Sequence, residues 1–265
     1  MDKIGIGIVT CNRPKFFLKC FRSIPNNMLL AVVNDGADFE DIDILQKEKQ
    51  FAYLYNDKNV GVGKSKNRLL KYLLENNCDH IFIIEDDIIV KDSSVFEKYI
   101  NASKTSGIEH FCFGYHGPAN RGGISGGMPT PRYIIDYKSF KLAINMHSVG
   151  AFCYYSRNVL EKVGLIYEEF TNAFEHVEHS YRIAKAGLCT PYWNFPDLAN
   201  SFEMLEEIEC SEKSSAIRPR KDWQENIRAG ALLFQKKHKY LPAWQGAVPD
   251  TTQEDVIKFL KKIKP

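Results

Sequence analysis

Along the first hundred residues, short apolar runs alternate with stretches of helical period. Ile4 to Thr10 interleaves β-branched residues with Gly5 and Gly7, which suits a central strand whose backbone another element approaches closely. A polar turn, Cys11-Asn12-Arg13-Pro14, follows; Pro14 fits the first turn of a helix, and Phe17, Phe21 and Ile24 then recur at helical spacing. Residues 28–33 read as a second strand running into Asn34-Asp35-Gly36. That tripeptide ordinarily means a hairpin, yet an acidic, loosely helical stretch comes next and no strand pairs back. Residues 51–55 form a third strand, and Leu69, Leu70, Leu73 and Leu74 mark the following helix. Residues 81–90 set Glu85-Asp86-Asp87 between two apolar runs. A run this short reads as a strand covered on both faces, with the acids at or just beyond its C-terminal end. Repeated strand and helix predict a parallel sheet with its polar ends on one side, where open α/β sheets bind ligands.

The second half carries weaker periodicity. A helix is expected around residues 96–102, a strand at 111–114, a return to strand at 148–155 and a short helix at 158–163. Residues 115–131 hold too much glycine and proline for either element; they are expected to form a mobile loop bordering the site. Residues 174–187 read as a helix on which Glu175, Glu178, His179 and Arg182 share one face, while Val177, Tyr181 and Ala184 turn the other way. A solvated ion-pair face is the plain meaning, and a proton acceptor the functional one. Beyond Trp193 the pattern becomes irregular, acidic over 203–212 and basic over 213–221, as in an arm wrapped on the sheet, and a helix over 226–237 ends it. The last helix is expected to start with a capping box, Thr251 with Glu254, and to pack Val256, Phe259, Leu260 and Ile263 on the core.

Composition narrows the class. The 265 residues suit one α/β domain with an appended piece, and a net charge of +2 argues against a dedicated nucleic-acid surface. Seven scattered cysteines, never as Cys-x-x-Cys, fit free thiols in a reducing compartment better than a disulfide framework or a zinc site. No run approaches the roughly 18 apolar residues of a membrane span, and no signal-peptide pattern is present. A cytoplasmic protein without an integral membrane segment is expected, with peripheral attachment left open.

Three adjacent carboxylates repel one another unless a cation or its equivalent sits among them. A divalent metal holding a phosphate is the functional meaning, since Mg²⁺ and Mn²⁺ sites use one or two carboxylates plus substrate phosphates, and a solvated acidic turn is the plain one. Gly63-Lys64-Ser65 is not a P-loop, because the glycine needed five residues earlier is Lys58. A glycine-bearing turn feeding a helix beside Lys64, Lys66 and Arg68 still makes a reasonable anion site.

Taken together, residues 8–14, Asn34-Asp35-Gly36, Asn59-Val60-Gly61 with Lys66-Asn67, Glu85-Asp86-Asp87, and the 175–182 cluster followed by Ala184-Lys185-Ala186-Gly187 resemble the GT-A glycosyltransferases of family 2. The resemblance covers residues 3–187. It implies a GT-A fold, Rossmann-like and mostly parallel with flanking helices, in which residues 1–105 bind the sugar donor and 106–200 the acceptor. A C-terminal helical extension, residues 201–265, would pack on the same domain. It also implies an inverting, metal-dependent transfer from a nucleotide-diphosphate sugar, with UDP as the expected nucleotide, to a glycan or glycoconjugate hydroxyl. Thr10, Asn12 and Arg13 would line the nucleotide pocket with Asn59 and Gly61, Asp35 would accept the base's N–H, and Lys66 stands where the family usually has an arginine. Asp86 would contact ribose or sugar, and Asp87, with Glu85, would reach Mn²⁺ or Mg²⁺. The family's Glu-Asp pair, whose aspartate deprotonates the acceptor, is here Glu175-His176. The base is therefore expected from His176 first, then Glu178, with Glu175 orienting the acceptor. A helix start should disfavour charge on the imidazole and leave it neutral. Two other readings remain: a sugar-nucleotide binder or scaffold that has lost the base, and a transferase acting on a polymer such as nucleic acid held by Arg218, Arg220, Lys221 and residues 236–239.

Overall fold

The computed structural model describes residues 2–39, 42–124, 126–208, 215, 221–239 and 251–264. Its first half alternates β1 (Ile4–Thr10), α1 (Pro14–Ser23), β2 (Leu29–Asn34), α2 (Ile42–Glu48), β3 (Ala52–Tyr55), α3 (Val62–Glu75), β4 (His80–Glu85), β5 (Ile88–Val90), α4 (Ser94–Ser106) and β6 (His110–Cys112). The second half adds β7 (Tyr133–Tyr137), β8 (Phe140–Asn145), β9 (Phe152–Ser156), α5 (Arg157–Val163), α6 (Glu175–Lys185), β10 (Phe195–Leu198), α7 (Ser201–Met204), β11 (Leu205–Glu207), α8 (Trp223–His238) and α9 (Gln253–Ile263).

The main sheet has the order β3-β2-β1-β4-β9-β6. Its first four strands are parallel, as strand and helix alternation requires, while β9 runs antiparallel to both β4 and β6. The C-terminal ends of β1, β2, β4 and β6 therefore share one edge with the N-terminal end of β9. Gly5 and Gly7 let α3 close on β1: a Cβ at Gly5 would stand 2.8 Å from Leu73, and one at Gly7 3.0 Å from Leu69. The apolar faces of α1, α3 and α4 cover the sheet through Phe17, Phe21, Leu69, Leu70, Leu73, Phe96 and Tyr99.

The structure corrects the sequence reading at several points. The apolar run 81–90 is two strands, because the chain turns at Asp86-Asp87 and β5 leaves the main sheet to pair antiparallel with β11. The hairpin β7–β8, joined to β10 in a separate three-stranded sheet, was not legible. Its two-residue turn is Lys138-Ser139, with Lys138 at φ 52, and lacks the glycine or asparagine that usually marks such a turn. Much of the stretch beyond Trp193 is thus regular, although parts of the acidic and basic runs, Arg218 and Arg220 among them, lie outside the described residues. The capping box of α9 is one residue later than expected, with Thr252 and Asp255 bonded reciprocally. Val256 and Leu260 do pack in the main core, whereas Ala231 and Phe234 of α8 join Phe170, Phe174 and Tyr181 in a second cluster. Among the described residues no helix is long and apolar enough to cross a membrane.

Candidate active site

A cleft opens at the shared strand edge, lined by Thr10, Arg13, Asp35, Asn59, Glu85 and Asp86 among others. Residues 76 positions apart in sequence meet there because β1 and β4 are neighbours in register, Val9 opposite Glu85.

On the β2 side, the buried Asp35 carboxylate is fully engaged. Oδ1 accepts from Asn56 Nδ2 (2.7 Å) and Val60 N (2.9 Å), Oδ2 from Asn59 Nδ2 (3.1 Å) and Gly61 N (3.0 Å). Four donors use the acceptor capacity of a carboxylate, so Asp35 fixes the turn that carries Asn59 and Gly61. Gly61 adopts φ 92 at the start of α3, and a Cβ there would meet the Thr171 carbonyl at 2.7 Å. Asn12 sits beside the cleft at φ 54, its Oδ1 accepting from Ala37 N at 2.7 Å.

The acidic motif is partly neutralised by the chain's own cations. Arg13 bridges two of its members, donating to Asp86 and, through Nη1, to Asp87 Oδ2 at 3.0 Å. Thr10 Oγ1 donates to Asp86 Oδ2 at 2.7 Å. Burial pushes the Asp86 carboxyl up to about 7 against the pull of Arg13. Asp87 is also buried, yet His116 and Arg13 beside it hold its carboxyl well below the ordinary range. The third acid is held differently: Lys66 Nζ donates to Glu85 Oε1 at 2.7 Å, to the Gly150 carbonyl at 3.0 Å and to Glu175 Oε1 at 3.4 Å. These three acceptors match the three protons of a lysine ammonium, so Lys66 lies beneath the cleft, tying β4 to α6, and not against a diphosphate. Burial would lower its affinity for the proton, but Glu85 and Glu175 hold it raised.

Opposite the acids, α6 begins with Phe174 at φ 66, an unfavourable backbone for a bulky residue, held in the second apolar cluster. Glu175 Oε1 faces His176 Nδ1 at 3.0 Å, and His176 Nε2 lies 3.3 Å from the Ser148 carbonyl. Gly150 makes room for this pair: a Cβ there would stand 2.9 Å from the imidazole and 3.0 Å from Lys66 Nζ. Both ring nitrogens thus face acceptors. Burial works against the imidazolium, but the Glu175 carboxylate outweighs it and the proton affinity of His176 is raised, contrary to the effect expected from the helix start. Burial likewise opposes charge on Glu175, yet His176 and Lys66 bring its carboxyl down to about 2.

The expected solvated face of α6 is buried. Glu178 is fully enclosed and accepts from Arg182 Nε at 2.9 Å, with His238 Nε2 at 3.0 Å from the same oxygen. His179, fully buried, has Nε2 2.9 Å from the Gly164 carbonyl. Glu178 and His179 therefore fasten α6 to α8 and to the end of α5, while His176 stays partly exposed.

Two residues at the acidic motif were not read from the sequence. His116 Nε2 lies 3.3 Å from Asp87 Oδ1 and 3.7 Å from Glu207 Oε1. A signal existed for His116, which follows β6 just as the acids follow β4, and those strands are parallel. Glu207 arrives through the β11–β5 pairing, for which the sequence carried no sign. Among the described residues no three His, Cys, Asp or Glu side chains form a complete metal site. Asp87 Oδ1 is nevertheless buried without a hydrogen-bond partner, an orphaned anionic oxygen that fits a cation taking its other ligands from phosphate and water.

The sequence profile of glycosyl transferase family 2 matches residues 6–164, more than half of the chain. The chain belongs to that family. An uncharacterized glycosyltransferase of Acanthamoeba polyphaga mimivirus is 29% identical over 267 residues, covering 92% of this chain and 93% of its relative. Among solved structures, GalNAc-T7 with UDP, GalNAc and Mn²⁺ superposes with a TM-score of 0.57 at 11% identity, covering 99% of this chain and 54% of that one. S. aureus TarS gives 0.50 at 14% identity, over 68% of this chain and 33% of that one. The chain thus spans about half of one solved relative and a third of the other, and these likenesses establish the GT-A fold. This family 2 member is a glycosyltransferase.

Proposed function

We propose that this glycosyltransferase moves a hexosyl or N-acetylhexosaminyl group from a nucleotide-diphosphate sugar, with UDP as the nucleotide, to a hydroxyl of a glycan or glycoconjugate, inverting the anomeric centre. The observation that carries the reading is the pairing of Glu175 with His176, which Lys66 ties to Glu85 beside Asp86 and Asp87. UDP and Mn²⁺ in the GalNAc-T7 structure agree with the choice of donor and metal.

The turn fixed by Asp35 offers Asn59 and the surrounding backbone to the nucleotide, and Thr10 and Arg13 hold Asp86 in place for the ribose or sugar. Asp87, with Glu85 behind it, would hold Mn²⁺ or Mg²⁺, which when bound supplies positive charge to the departing diphosphate. His176 acts as the base: Glu175 fixes its Nδ1, and Nε2 exchanges the Ser148 carbonyl for the acceptor hydroxyl and takes its proton as the oxygen attacks the anomeric carbon. Glu175 orients the imidazole and stabilises the imidazolium that forms.

A panel of nucleotide sugars, each with Mn²⁺, tests the reading. One donor should raise the melting temperature and be hydrolysed or transferred, its nucleoside diphosphate appearing only with the metal. Stabilisation without any turnover across a set of glycan acceptors would instead describe a binding protein of the same fold.

A further inference from the structure

We propose that His116 is a ligand of the divalent cation, placed beside Asp87 by the loop after β6 and backed by the negative charge of Glu207. The inference rests on the metal-dependent reading above. Three observations carry it. First, Asp87 Oδ1 and His116 Nε2 are both buried without a hydrogen-bond partner, yet stand 3.3 Å apart. At that separation a carboxylate oxygen and an imidazole nitrogen outside hydrogen-bond geometry are close enough to share one cation, which takes the place of the imidazole proton.

Second, the position is built. Glu207 Oε2 accepts from Gly117 N at 3.0 Å and Ile208 N donates to the Asp87 carbonyl at 2.7 Å, so the segment through β11 clamps both the His116 loop and the acidic turn. Of the two Asp87 oxygens, Arg13 meets Oδ2, and Oδ1 is the one open to the cation. Third, the charge matches. Among the described residues, Asp86, Asp87 and Glu207 face the guanidinium of Arg13 and the imidazole of His116, so carboxylates are in excess there. A divalent ion offsets that excess, and a nitrogen ligand suits Mn²⁺ better than Mg²⁺, which prefers oxygen.

Mn²⁺ binding read by electron paramagnetic resonance in the presence of UDP, or of GDP, tests this without turnover. Wild-type protein should quench the free-ion signal saturably, and electron spin echo modulation should show a directly bound ¹⁴N that changes to ¹⁵N when histidine is ¹⁵N-labelled. His116→Gln should lose that modulation and weaken Mn²⁺ at least tenfold, the lower end of what even an outer-sphere change costs. The labelled wild-type spectrum decides the matter if the variant does not fold. Saturable Mn²⁺ binding that disappears in Asp87→Asn but shows no histidine nitrogen, and is unchanged in His116→Gln, overturns the role of His116 and leaves the metal-dependent reading standing. No Mn²⁺ binding with either nucleotide overturns both.

Discussion

Lys66 Nζ sits 2.7 Å from Glu85 and joins the end of β4 to the helix that carries Glu175 and His176. Its side chain is 3% exposed and that of Glu175 5%. Removing one partner of a buried ion pair strands the other and typically costs about 3–5 kcal/mol. Lys66→Met should accordingly lower unfolding free energy by an amount in that range and displace Glu175 from His176. Urea denaturation checks the first effect; a wild-type midpoint would show that the pairing contributes nothing to stability.

The same carboxylate predicts an acid limb in the stability curve. With Glu175 brought from its ordinary 4.5 down to about 2, the folded state keeps its ionised form where the unfolded chain has begun to protonate. Its contribution is complete above pH 4.5 and is lost as pH falls toward 2. Glu175→Gln should be less stable at neutral pH and should lose less between pH 4.5 and 2. Parallel curves for the two proteins would rule out this linkage.

Asp35→Ala should raise the KM for the sugar donor far more than it lowers kcat, since whatever the 56–61 turn holds of the nucleotide is held equally in ground and transition states. Because the carboxylate takes four hydrogen bonds from that turn, a loss of stability of at least about 1–3 kcal/mol should accompany it. Steady-state kinetics over a donor series, with a denaturation curve of the same variant, separates the two effects. A collapse of kcat at constant KM would give Asp35 a role in the chemistry.

How far the sequence speaks depends on whether a feature is local. Gly5, Gly7 and the leucines of α3 announced a close strand and helix contact because packing at one strand is written in periodicity. The need for a cation among Glu85, Asp86 and Asp87 was legible from charge alone. That Arg13 and Lys66 supply much of it was not, since the pairing depends on the order of strands. Residues 175–182 show the same limit: spacing put Glu175, Glu178, His179 and Arg182 on one face, but only the position of α8 and His238 turns that face inward and takes Glu178 out of the cleft. Glu207 was invisible because a three-residue strand pairing with β5 leaves no pattern.

The base is the most exacting test. A helix start favours the neutral imidazole, but Glu175 at 3.0 Å from Nδ1 is nearer and more strongly charged, and the net effect raises the proton affinity of His176. A base must be unprotonated to act, so kcat should rise with pH as the imidazolium is lost, with a midpoint above the ordinary 6.5. General-base catalysis typically contributes about 10² to 10⁴ in rate. His176→Gln should lose a factor in that range together with the limb. Glu175→Gln should keep a limb but move it to lower pH, because the neutral amide no longer stabilises the imidazolium, and kcat should fall as the ring loses its orientation. The pH profiles of the three proteins decide between a histidine and a carboxylate: a wild-type rate and an unmoved acid limb in His176→Gln would take the imidazole out of the mechanism and pass the role to a carboxylate.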